Sequence, residues 1–257
     1  MSKAINEKML IVSNDSIALD VYKMVLKGTI QNLIQNPGQF VALLPCESYT
    51  LRRPISISSY DIQNESLTII YKTFGEGTKY LSTIKEGEYI DTLGPLGKGF
   101  DLQNIKEGDE ILVIAGGVGV PPMYDLNLKL QELGAKVINV FGFRNKEEAF
   151  YFDEFKSLYE THISTEDGSF GVKGNVSNII KNLSLNPKAV FSCGPKGLLN
   201  YIQENFKHIE NTQISLEERM ACGIGACYAC VCKSQKDGEF FKICSDGPVF
   251  NAKEVKL

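Results

Sequence analysis

Residues 111–145 read ILVIAGGVGVPPMYDLNLKLQELGAKVINVFGFRN: an apolar run, a glycine-rich turn, a helical pattern and a second apolar run. A continuous apolar run is what a strand covered on both faces needs, and the change of period from 2 to 3.6 after the turn marks a helix. Pro121 and Pro122 fall at its first turn, where a missing N–H leaves no hydrogen bond unmade. Strand, turn, helix and strand in that order define a βαβ unit and a parallel sheet. The segment AVFSCGPKGLLNYIQENF at 189–206 repeats the pattern, so an α/β domain is expected over 106–210.

Upstream, the rhythm is different. Short β-rich runs (MLIVS, VYKMVLKG, GQFVALL, RPISISSYD, LTIIYKTFGEG, EYIDTLGPLGKG) alternate with turn signals over 1–103, which predicts an antiparallel barrel or sandwich. One helix is expected within it, at GTKYLSTIK. The polar stretch DLQNIKEGDE separates the two regions, and residues 214–257 form a third, cysteine-rich module.

Composition is consistent with this division, since 257 residues accommodate two domains of about 100 residues and a small appendage. With 43% hydrophobic and 23% charged residues, a formal charge of -4 and no charge runs, the chain reads as soluble and globular, and nucleic acid is excluded as a partner. Neither a signal-like N-terminus nor a run of 18 apolar residues occurs, so no membrane association and a cytoplasmic location are expected. Cytoplasmic thiols are kept reduced, so seven cysteines point to metal or redox chemistry rather than structural disulfides.

Four of those cysteines lie in RMACGIGACYACVCK, residues 219–233. Cys222-x4-Cys227-x2-Cys230, with Cys244 at a distance, is the plant-type 2Fe-2S ligand spacing. A structural zinc site draws its ligands as two close pairs, whereas here three come from one loop, so a zinc knuckle is the weaker reading. Gly223 and Gly225 let a tight loop aim its amides at sulfur. Cys232 stands outside the pattern and is expected to be a packed, idle thiol.

A 2Fe-2S centre moves single electrons, so a partner chemistry that handles pairs is expected upstream. RRPISIS at 52–58 offers an arginine that can fork onto a pyrophosphate and a hydroxyl that can reach a flavin ring, and FGEGTKYL at 74–81 opens a helix with Gly75, Gly77 and Thr78. Gly116, Gly117 and Gly119 form a phosphate-binding type of turn without the G-x-G-x-x-G spacing, and SCGPKGLL supplies a second turn after a strand. Taken alone, Cys193 there reads more as a small core residue than as a reactant.

R-P-x-S, G-x-G-T, GGVGVPP and CGP in this order resemble the ferredoxin reductase superfamily over residues 1 to 210. With CGIGACYACVCK and CSDGPVF the chain resembles, over its whole length, the electron transfer subunits of NAD-dependent class B dihydroorotate dehydrogenases. That resemblance implies a mixed β and α/β architecture: an N-terminal antiparallel β-barrel for FAD, a Rossmann-like α/β domain for NAD and a C-terminal 2Fe-2S module. It implies that Arg53, Pro54, Ile55, Ser56, Ile70, Tyr71, Lys72, Gly77 and Thr78 contact FAD, with Arg53 toward the pyrophosphate and Ser56 near the flavin N5. It places Gly116, Gly117, Gly119, Cys193, Gly194 and Pro195 beside the nicotinamide cofactor, and Cys222, Cys227, Cys230 and Cys244 on the irons.

The implied activity carries electrons from an FMN-containing catalytic subunit, through the 2Fe-2S cluster and FAD, to NAD+ in pyrimidine biosynthesis, in a heterotetramer with two of each chain. His162 and His208 sit in unremarkable polar surroundings and no general acid or base for carbon chemistry is evident, which agrees with a substrate site on a partner. The competing enzyme reading is an NAD(P)H-dependent flavin and iron-sulfur reductase subunit serving ferredoxin, sulfide or hydrogenase partners. Arg144, closing the strand in KVINVFGFRN, speaks mildly for NADP, while Glu147 and Glu148 follow it. A zinc-stabilised binding module without activity is the rival from another class.

Overall fold

The computed structural model describes residues 4–257. Six strands, β1 (Ile5–Ala18), β2 (Val21–Lys27), β3 (Phe40–Leu44), β4 (Arg53–Asp61), β5 (Ser66–Lys72) and β6 (Tyr89–Leu96), close into an antiparallel barrel in the order β1-β2-β5-β4-β3-β6. Between the barrel and sandwich that the strand pattern allowed, closure decides for the barrel and leaves no unpaired edge. Period-2 alternation fills it: Leu67, Ile69 and Tyr71 of β5 turn inward onto Met9, Met24 and Leu26. Ile70, on the opposite face, joins the core of the next domain.

Helix α1 (Glu76–Leu81) follows β5 and is shorter than the 77–85 span its sequence allowed. Its end is fixed by Asn14, whose side-chain amide donates to the carbonyls of Leu81 at 2.8 Å and Ile84 at 2.9 Å. Asn14 is itself held by the buried Tyr71 hydroxyl, which donates to its Oδ1 at 2.9 Å.

The second domain is a sheet of β7 (Glu110–Gly116), β8 (Lys136–Phe143), β9 (Glu160–Thr165), β10 (Val172–Lys173), β11 (Ala189–Cys193) and β12 (Asn211–Ser215), all parallel, in the order β10-β9-β8-β7-β11-β12. Helices α2 (Pro121–Glu132), α3 (Phe152–Leu158), α4 (Val176–Ile180) and α5 (Lys196–Phe206) connect them. The expected junction between 210 and 214 falls inside β12, which pairs with β11 from Ala189–Asn211 to Cys193–Ser215. Without β12 the apolar β11 would be a bare edge, and β12 is in turn covered by an antiparallel strand from the C-terminal segment, Val249–Asn251.

That segment contributes β13 (Val231–Ser234), β14 (Phe240–Lys242), α6 (Ile243–Asp246), β15 (Val249–Asn251) and β16 (Val255–Lys256). One apolar cluster runs through all three regions, taking Phe40 and Leu96 from the barrel, Ile214 from the sheet, and Cys230, Ile243, Cys244 and Phe250 from the module. Backbone bonds reinforce it: the Lys98 N–H donates to the Gly247 carbonyl at 2.5 Å, and the Leu216 N–H to the Pro248 carbonyl at 2.9 Å. The cysteine module is therefore fixed against the barrel. Among the described residues no helix is long and apolar enough to cross a membrane.

Candidate functional site

From β7 the chain moves outward to β8, β9 and β10, then returns to place β11 on the other side of β7. The crevice beyond the carboxyl ends of β7 and β11 is thus a switch point, where open α/β sheets bind ligands. A cavity of 660 Å³ lies there, with Gly116, Gly117, Gly119, Gly194 and Pro195 in its wall. The turn needs its glycines for close approach: a Cβ on Gly119 would run into the Cys193 carbonyl, and Gly117 sits at a φ of 53°. Cys193 itself lies beneath the turn, 1% exposed and outside the cavity wall. Burial pushes its thiol well above the ordinary range, with the Glu217 carboxylate adding to the effect.

A second cavity of 380 Å³ opens on the outer face of the barrel, and its wall includes Pro54, Ile55, Ser56, Ile70, Tyr71 and Lys72. Pairing of β3 with β4 brings Phe40 opposite Ser56 and Val41 opposite Ile55, so Phe40 joins that wall. Tyr71 borders the cavity while its ring packs in the barrel core and stacks on Tyr22 at 5.9 Å. Arg53, Gly77 and Thr78 are not in that wall, though Thr78 contacts Phe74 of it and Arg53 packs on Gly77. The Arg53 guanidinium lies over the Tyr49 ring at 5.1 Å and donates to the Leu51 carbonyl at 2.5 Å. A Cβ on Gly77 would run into that guanidinium, and the Thr78 hydroxyl accepts from the Phe74 N–H at 2.6 Å. Phe74, 90% exposed, stands at the mouth of this cavity.

Lys72, Val118 and Glu217 belong to the walls of both cavities, so the two sites adjoin. Lys72 is held there by the half-buried Glu148 at 2.7 Å. Glu217 was not singled out by the sequence; its only signal is a charge directly after the apolar strand NTQIS and the following Leu216. Its side chain is open to the cavities, yet the protein packed around it disfavours charge and raises its carboxyl above the ordinary range.

The cysteine loop places its sulfurs in two pairs. The free Cys222 thiol lies within hydrogen-bond reach of that of Cys227, and the Cys244 thiol within reach of that of Cys230. Loop amides converge on them: the Ala226 N–H donates to Cys222 Sγ at 3.3 Å, the Gly225 N–H to Cys244 Sγ at 3.1 Å and the Cys244 N–H to Cys230 Sγ at 3.4 Å. Burial opposes ionisation of Cys222, but the amides of Ile224, Cys227 and Ala226 together with the Cys227 thiol outweigh it and lower its pKa to about 6. Gly223 and Gly225, at φ of 69° and 81°, supply the left-handed turns that point these amides inward. Two thiol pairs, with three sulfurs from the loop and Cys244 from α6, fit the two irons of a 2Fe-2S cluster. Cys232 is half-buried on β13, its thiol pushed up to about 11 by burial, and pairs in register with Phe241.

A β-barrel joined to a switch-point α/β domain, two adjoining cavities and a paired-cysteine loop define the class: a reductase of the ferredoxin reductase fold with an iron-sulfur module. Residues 217–256 match the iron-sulfur cluster binding domain of dihydroorotate dehydrogenase B. The chain is 43% identical over 256 residues to the dihydroorotate dehydrogenase B (NAD(+)) electron transfer subunit of Bacillus cereus (strain B4264), covering 98% of each chain. It is 45% identical over 261 residues to that of Fusobacterium nucleatum subsp. nucleatum, again covering 98% of each. Among solved structures, an NADH-dependent reduced ferredoxin-NADP oxidoreductase studied for flavin-based electron bifurcation matches with a TM-score of 0.86 at 28% identity, covering 97% of this chain and 90% of that one. An Amycolatopsis cytochrome P450 reductase matches at 0.72 and 15% identity, covering 83% and 70%, and shares the fold. The chain belongs to the family of electron transfer subunits of NAD-dependent dihydroorotate dehydrogenase B.

Proposed function

We propose that this chain carries electrons from a partner that oxidises dihydroorotate, through a 2Fe-2S cluster and FAD, to NAD+. The observation that carries the reading is adjacency: Phe40 lines the barrel cavity and packs in the same apolar cluster as Cys230 and Cys244, while Lys72, Val118 and Glu217 join that cavity to the switch-point cavity. When bound, the cluster passes single electrons and FAD converts between single electrons and a hydride.

The protein's part is holding and insulating. Cys222 with Cys227 and Cys230 with Cys244 would hold the two irons, and the loop amides stabilise the thiolate charge. Ile55, Ser56 and Ile70 would line the flavin, while Arg53, Gly77 and Thr78 would hold its pyrophosphate beyond Pro54. Gly116, Gly117, Gly119, Gly194 and Pro195 would let the nicotinamide approach across Val118. Glu217 lies between the two cavities, where the protein packed around it raises its carboxyl above the ordinary range.

The partner on this reading is the FMN-containing catalytic subunit, two of each chain forming a heterotetramer, in the cytoplasm. His162, beside Glu160 at 2.8 Å, and His208 both lie outside the two cavities. Docking is placed at the cysteine loop, where Ile224 is 54% and Tyr228 65% exposed, with Val231 and Phe240 exposed beside them. Lys242 lies over the Tyr228 ring at 4.7 Å and fixes it outward. An Ile224→Glu or Tyr228→Glu variant tests this: dihydroorotate-driven reduction through the partner is lost, while NADH still bleaches the chain's own flavin and cluster. Unchanged transfer from the partner would remove the docking surface from the account.

A further inference from the structure

One cation of the cysteine module lies against the ligand loop itself. Lys242 ends β14, where it pairs with Val231 of β13, and its N–H donates to Asp246 Oδ2 at 2.7 Å. The N–H of the next residue, Ile243, donates to the Cys230 carbonyl at 2.8 Å, and Cys244 follows. The backbone of Lys242 is thus held from both sides, close to two of the four cysteines.

Its half-buried side chain turns onto the loop. The ammonium lies over the Tyr228 ring at 4.7 Å, and a Cβ built on Gly225 would stand 3.8 Å from Nζ. Gly225 is the residue whose N–H donates to Cys244 Sγ, and Tyr228 follows Cys227 directly, so loop residues on either side of Cys227 bracket the charge. Among the described residues Lys242 forms no ion pair, in contrast to Lys256 of the same module, which is taken by Asp237 at 2.9 Å. Asp246, the acid two residues past Cys244, accepts the backbone N–H of Lys242 rather than its ammonium, and lines a polar groove with Lys98 and Lys106.

We propose that Lys242 raises the reduction potential of the cluster: its unpaired ammonium stabilises the negative charge that an electron adds. The electron arrives from the partner and leaves to the flavin, so no further reductant is needed. The inference rests on the 2Fe-2S reading of the cysteine loop. Net charge, hydrogen bonds to the sulfurs and solvent exposure set the potential of such a centre. The loop amides supply the hydrogen bonds, and Lys242 supplies a full charge beside them. A unit charge fixed a few ångströms from the loop, in a half-buried position, shifts a one-electron equilibrium by about tenfold or more. A relay that draws electrons singly from a two-electron donor gains by accepting the first one readily.

The test is a potentiometric titration of the FAD- and cluster-loaded chain at one pH, read as the paramagnetic resonance signal of the reduced cluster, with iron content measured first. Lys242→Met lowers the reduced-to-oxidised ratio at a given potential by about tenfold, a fall of about 59 mV in the midpoint, and Lys242→Gln does the same. Two neutral variants are used so that poor cluster loading in one does not stop the measurement. Lys242→Arg keeps the charge and with it the midpoint. Lys236→Met removes the same charge at the β13–β14 turn, where its N–H donates to the Ser234 hydroxyl at 3.1 Å, and leaves the midpoint unchanged. An unaltered midpoint in Lys242→Met and Lys242→Gln would overturn the assignment. So would an equal fall in Lys242→Arg, which would make the effect one of packing on Tyr228, or in Lys236→Met, which would make it one of general charge. A wild-type chain that takes up no 2Fe-2S cluster would instead overturn the reading of the loop, and the inference with it.

Discussion

Phe40 and Ser56 are paired across β3 and β4, and Phe40 packs in the same apolar cluster as Cys230 and Cys244. Phe40 therefore belongs both to the cavity wall that holds Ser56 and to the apolar cluster that holds two of the sulfurs. Phe40→Ala is expected to cost about 3–5 kcal/mol, read as a lower urea midpoint, and to speed FAD loss on dilution. Phe40→Leu, which keeps much of the volume, should lose less than half as much. An unchanged midpoint in Phe40→Ala would mean that the barrel and module are not packed through this ring.

Gly119 and Gly197 both line the switch-point cavity but face different neighbours. A Cβ on Gly119 meets the Cys193 backbone, which has no freedom to withdraw, whereas one on Gly197 meets nothing within 4 Å. Gly119→Ala should lose about 1–3 kcal/mol of stability and weaken NAD+ binding by about tenfold or more. Gly197→Ala, in the first turn of α5, should be neutral or stabilising by up to about 1 kcal/mol. Calorimetry and thermal melts of the pair check both.

Asp125 of α2 is 3% exposed and faces Tyr60 of β4, with Lys129 and Glu132 on its own helix. Burial pushes its pKa from 3.8 up to about 7, Lys129 opposing the shift and Glu132 adding to it. A carboxyl whose folded pKa is raised stabilises nothing in its charged form: the fold is favoured while the group is protonated, and that advantage is lost as pH rises from about 4 to about 7. Asp125→Asn should therefore be more stable than wild type at pH 8, by on the order of 3 kcal/mol, with the difference vanishing near pH 4. Urea midpoints across that range measure it, and a pH-independent difference would contradict the assignment.

Cys232 lies two residues from Cys230 yet pairs with Phe241 on β13 and takes no part in the two thiol pairs. Cys232→Ser should retain the cluster's visible absorption and about two irons per chain, while serine at Cys222, Cys227, Cys230 or Cys244 should lose both. Zinc in place of iron in the wild-type chain would support the zinc-module reading instead.

The sequence made the α/β domain legible because buried parallel strands leave continuous apolar runs, and it made the cluster legible because ligand spacing within one loop survives without a fold. Strand alternation alone allows a barrel or a sandwich, since it reports a buried face but not closure, and the resemblance supplied the barrel. Glu217 and Phe74 were missed for a related reason. Each matters only through what stands across a cavity from it, and neither has a local pattern. The junction expected between 210 and 214 lies inside β12 because hydrogen bonding to β11, over 189–193, is invisible to composition.

The central claim is that electrons from dihydroorotate reach this chain only through a partner. Anaerobic visible spectra taken before and after adding dihydroorotate, on the chain in complex with its native partner and on the chain alone, test it most directly. The account predicts that the flavin and cluster bands bleach in the complex and stay unchanged in the lone chain, which NADH nevertheless bleaches. If dihydroorotate leaves the complex coloured while NADH or NADPH bleaches it, the chain serves another donor or acceptor, and the account is contradicted.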